Sequence, residues 1–79
     1  MAPTVFTYED PQINYSTTGI KFSGKCNDES TFVFKTRVIS IDRRADEILL
    51  FLTDNQIIQL VGLKAVRDTY DAIILWLSS

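Results

Sequence analysis

The chain has 79 residues, eight basic and ten acidic side chains, no histidine and one cysteine, and 46% of it is hydrophobic. A polypeptide of this length is expected to form one domain, residues 1–79, and it buries only about 60–65% of its unfolded surface, which leaves little stability to spare. The lone cysteine excludes an internal disulfide, the missing histidine removes the commonest metal ligand, and the apolar content excludes a disordered chain.

The first ten residues contain no basic side chain and no apolar run, so they do not read as a secretory signal. The longest apolar runs, 48–52 and 72–77, fall far short of the roughly 18 residues of a membrane span. The expectation is a soluble, cytoplasmic protein.

Residues 4–8 are β-branched and aromatic and are fenced by Pro3 and Pro11, which predicts an edge strand or an arm. The polar stretch 9–18 reads as a loop or irregular strand. Over 20–26 the alternation is clean, with Ile20, Phe22 and Cys26 on one face and Lys21, Ser23 and Lys25 on the other. Turn formers at 27–30 lead into a second β pattern over 31–41. There Phe32, Phe34 and Val38 share one parity while Val33, Ile39 and Ile41 take the other, so either both faces are covered or a bulge intervenes near Thr36. A charged turn at 42–46 precedes the most apolar strand, 47–53. Asp54-Asn55 predicts a two-residue hairpin loop, since both residues tolerate positive φ, and 56–61 returns as the last strand. The period then changes: Leu63, Val66, Tyr70, Ile73 and Leu77 form one helical stripe. The predicted fold is α+β, an antiparallel sheet of four to five strands in a meander, packed against one C-terminal α-helix.

Apolar residues outnumber what one helix covers. The segment 48–52 is apolar on both faces, and Ile74 and Trp76 lie off the helical stripe. Burying each large apolar side chain is worth about 1.5–3 kcal/mol, so a small domain cannot leave many of them bare. Either the N-terminal segment folds over the second face of the sheet, or a second chain, identical or foreign, covers part of it.

Charge is segregated: residues 1–20 carry −2, residues 21–44 carry +3 and residues 45–79 carry −3. Pairing Phe22 with Phe34 across the turn at 27–30 places Lys21 opposite Lys35, with Lys25 and Arg37 nearby and the phenylalanines on the other side. Such a face suits an anion, although positive charges on a sheet also simply discourage aggregation. A net charge of −2 weighs against nucleic acid, whose phosphates call for a basic excess.

The elements of catalysis are missing. No histidine serves as base for Cys26 or any hydroxyl, Gly19, Gly24 and Gly62 are too dispersed for a phosphate loop, and Asp42, Asp46 and Glu47 lack the spacing of a calcium loop. The composition therefore predicts a non-enzymatic protein–protein interaction module, a small adaptor or viral-type inhibitor, with no cofactor, metal ion or membrane. Its partner is another protein, a second copy (a homodimer) included. Trp76 and Ile74 are the expected anchors, with Lys35, Arg43 and Arg44 as rim charges. The competing expectation is anion or nucleic-acid binding through Lys21, Lys25, Lys35 and Arg37.

Overall fold

The computed structural model describes residues 2–24 and 30–79. Among them run strands β1 (Thr4–Glu9), β2 (Gln12–Tyr15), β3 (Gly19–Ser23), β4 (Ser30–Phe34), β5 (Val38–Arg43), β6 (Glu47–Leu52) and β7 (Gln56–Val61), then helix α1 (Val66–Ser78). The α+β class and the C-terminal helix are as the sequence predicts. The strands, however, form two sheets: a four-stranded one in the order β1-β7-β6-β5 and a three-stranded one in the order β2-β3-β4.

The division into two sheets has local causes. Between β1 and β2, Asp10 adopts φ +45° and Pro11 removes a donor, so the chain leaves the first sheet and enters the second. The Asp10 N–H still bonds the Val61 carbonyl at 2.8 Å, pinning the corner to the end of β7. The stretch 9–18 is thus less irregular than its polarity suggests. Residues 31–41 do not form one strand either, because a single 3₁₀ turn, Lys35–Arg37, separates β4 from β5. The change of parity near Thr36 is this break, and a further register shift lies between Val38 and Ser40. The β6–β7 loop holds Asp54 at φ 64° and Asn55 at φ 58°, as their tolerance of that region predicts. Leu52 pairs with Gln56, so the loop has three residues instead of two.

The two sheets face each other across one core. Ile20, Phe22 and Val33 from the small sheet meet Ile48, Leu50, Leu52, Ile58 and Leu60 from the large one. The Tyr8 hydroxyl, on β1, bonds the Thr31 hydroxyl on β4 and joins the layers. Helix α1 closes the remaining side. Ile73 is fully buried, and Leu63, Val66, Tyr70 and Leu77 pack against the cluster, so the predicted stripe does face inward. The second sheet supplies the cover that the apolar surplus required for the inner face.

Strand pairing sets the outer faces. β3 and β4 pair Gly19 with Phe34, Lys21 with Phe32 and Phe22 with Thr31. This register differs from the Phe22–Phe34 pairing by an odd number of residues, which turns every side chain of β4 to the other face. Phe32 and Phe34 consequently lie on the solvent face with Lys21. On the outer face of the large sheet, Val5, Ile57 and Phe51 form an apolar row. Beside it runs a polar chain, with Gln59 accepting from Thr7 Oγ1 at 2.9 Å and donating to Glu47 Oε2 at 2.8 Å.

Candidate binding surface

Of the two expected anchors, Trp76 does not lie on the surface. Trp76 is only 8% exposed, its indole N–H donates to the Ser16 carbonyl at 2.6 Å, and its ring lies 6.2 Å from that of Tyr15. Ile74 is half-buried on the same helix. A tryptophan that plugs the gap between helix and small sheet belongs to the core, so its hot-spot role falls away.

The basic residues are dispersed as well. Lys35 Nζ donates to the Ser79 carbonyl at 2.6 Å and sits 5.4 Å from the centre of the Trp76 ring. Arg37 donates to Thr53 Oγ1 at 3.3 Å and to Gln56 Oε1. The Arg43 guanidinium lies 5.8 Å from the Tyr70 ring centre, and Arg44 lies within 3.7 Å of Asp42 and 3.6 Å of Glu47. Lys25 is outside the described residues. Lys21 stands opposite Phe32, not Lys35, so the expected lysine pair does not form. Four cations are thus occupied with neighbours inside the fold, and among the described residues Lys21 alone projects as a cation from the small sheet.

That sheet carries an arrangement the sequence reading missed. Phe32 and Phe34 are 43% and 56% exposed, and their rings meet edge-to-face at a centroid distance of 5.1 Å. Such pairs are worth about 0.5–1.5 kcal/mol beyond their buried area, which gives the patch a defined shape before any partner arrives. Phe32 lies over Gly19, where an added Cβ would come within 2.4 Å of the ring and 2.5 Å of the Val33 carbonyl. Thr17, Thr18, Lys35 and Thr36 form with Phe34 a shallow depression at one end of the patch. The available signal was in β4 itself: Thr31 and Val33 share one parity and the two phenylalanines the other, so one aromatic pair had to face outward once Val33 faced the core.

No group of three or more metal-ligating side chains occurs among the described residues. No helix among them is long and apolar enough to cross a membrane. Among the described residues, the one ionisable group with a clear shift is Tyr15, whose phenol burial pushes above its ordinary value of 10.0.

Neither a protein-family model nor a curated protein matches the sequence. Among solved structures, the chain is similar to the C-terminal domain of an unknown protein from Leishmania infantum, with a TM-score of 0.79 and 11% identity over 87% of this chain and 69% of that one. At that identity the likeness is one of fold alone.

Proposed function

We propose that the protein is a non-catalytic binding module that docks another protein through the solvent face of its small sheet. The observation that carries this reading is the exposed edge-to-face pair Phe32–Phe34. Aromatic side chains exposed in a rigid cluster are typical centres of protein interfaces, where they bury large area at small entropic cost. Lys21 and the threonines around Phe34 supply a polar rim. A second copy of the chain is one partner this face accommodates.

A specific feature also favours a second reading. Phe32 and Phe34 share their face with Lys21, and bases of single-stranded nucleic acid stack on aromatic side chains beside cations. The protein reading is preferred because Lys35 and Arg37 bond within the fold and the net charge is −2.

An NMR titration of the labelled protein, against pooled aromatic-containing peptides and separately against an oligothymidine, tests the assignment. Shifts at Lys21, Phe32 and Phe34 with peptides, retained in about 0.5 M salt and lost in Phe34→Ser, are expected. Shifts with the oligothymidine alone, abolished by that salt, overturn the protein reading in favour of nucleic acid. Silence with both, together with a constant monomer mass across a dilution series, overturns the surface altogether.

A further inference from the structure

A second surface, independent of the aromatic pair, is the outer edge of β1. This strand ends the large sheet and pairs with β7 on one side only. In a parallel ladder, residues that bond the neighbouring strand alternate with residues whose main-chain groups point away from it. The Asp10 N–H bonds the Val61 carbonyl at 2.8 Å, so Tyr8 and Phe6 share its orientation toward β7. Val5, Thr7 and Glu9 therefore turn their N–H and C=O groups to the open side, and all three residues are exposed.

Native sheets guard such edges with charges, bulges or short strands. Edge strand β5 has a register shift between Val38 and Ser40 and ends in Asp42 and Arg43, and edge strand β2 has four residues. β1 has six residues in unbroken register with β7, and residues 4–8 carry no charge. Val5 on the outer face and Phe6 on the core face are 49% and 39% exposed, so apolar area stays bare on both sides of the strand.

The segment is also complementary to itself. Pro3 and Pro11 bound it, and Thr7 lies midway between them. A two-fold axis at Thr7 lays the segment antiparallel on its own copy from end to end, with proline opposite proline outside the ladder. In that register Thr7 exchanges both main-chain bonds with Thr7 of the second copy, and Val5 does so with Glu9, which are the outward-facing residues. Between them Phe6 meets Tyr8 in the closer, non-bonded kind of pair, and an aromatic side chain covers the bare Phe6 ring. Glu9 lies opposite Val5 and not opposite another carboxylate.

We propose that two copies of the chain pair antiparallel through β1, about a two-fold axis at Thr7, and join their four-stranded sheets into one continuous sheet. Outward main-chain groups select a strand as the occupant, and the match in length, bonding groups, aromatic pairing and charge selects this chain's own β1.

Sedimentation velocity across a dilution series is expected to show a monomer–dimer equilibrium in the micromolar to millimolar range. Thr7→Pro removes an N–H that β7 does not use and weakens the dimer at least about tenfold, through the two bonds lost at the axis. Thr7→Lys keeps every main-chain group, sets two ammonium groups face to face and weakens the dimer as well. Melting temperatures of dilute samples separate both effects from unfolding. In a Cys26→Ser background, oxidised glutathione should cross-link Thr7→Cys across the axis, where a bonded pair holds its Cα atoms about 5.5 Å apart. Val5→Cys, which faces Glu9, should stay uncross-linked. A monomer at about 1 mM overturns the proposal and leaves the edge to a foreign strand. Equal cross-linking at the two positions, or a dimer unaffected by Thr7→Lys and lost in Phe34→Ser, overturns it too.

Discussion

The indole N–H of Trp76, in the last turn of the helix, donates to the carbonyl of Ser16, at the start of the β2–β3 turn. Sixty positions of chain separate the two residues, and this bond ties the C-terminal element to the small sheet. Trp76→Phe keeps most of the buried area and loses the bond. Because Ser16 is exposed, water replaces the lost donor, and the expected cost is at the lower end of about 0.5–1.5 kcal/mol. Trp76→Ala also opens a cavity, at about 3–5 kcal/mol. Urea unfolding of both variants checks the ordering; equal costs would mean that the ring itself contributes little.

Lys35 acts on the same region. Its ammonium bonds the Ser79 carbonyl and lies against the Trp76 ring. Lys35→Glu is therefore expected to destabilise the fold by about 1 kcal/mol, with no ligand present. A variant of unchanged stability would return Lys35 to the list of available anion ligands.

Gly19 is needed for a close approach of strands and ring. A methyl group there meets both the movable Phe32 ring and the fixed Val33 carbonyl. Gly19→Ala should cost about 1–3 kcal/mol, the range of an overpacked site. Adding Phe32→Ala removes one clash and not the other, so the double variant regains only part of the loss. Full recovery in a thermal melt would show that the ring alone is responsible.

Gly62 sits at φ 67°, with the Asp10 nitrogen 3.4 Å from where a Cβ would lie. Gly62→Ala forces an L-residue into the left-handed region, at about 1–2 kcal/mol. Gly62→Asn, whose side chain tolerates that region, should cost less. The two melting temperatures decide it.

Tyr15 contributes a pH dependence at alkaline pH. Burial disfavours its phenolate, so the folded protein holds this proton above the pH at which the unfolded chain releases it. Its stabilising effect is complete below pH 10 and is lost as pH rises through the raised folded value. Denaturant midpoints should fall over that window in the parent and fall less in Tyr15→Phe. The residue is 42% exposed, so the change is small.

Much of the architecture could be read from neighbouring residues. Alternation in 20–23 picks out Ile20 and Phe22 as buried, and the stripe from Leu63 to Leu77 marks the inward face of α1. Asp54 and Asn55 mark their turn through their own backbone preferences. Each of these follows from a period or a conformational tolerance carried within a few residues.

Sequence alone determined the class of the fold, the inward faces of most elements and the absence of a histidine or disulfide framework, because these depend on composition and on local periodicity. Tertiary structure decided which strand lies beside which, and with what offset. An odd offset between β3 and β4 moved Phe32 and Phe34 to the solvent, and a contact across sixty positions drew Trp76 into the core. Both reversals rest on pairing energies between distant segments, which no local pattern records.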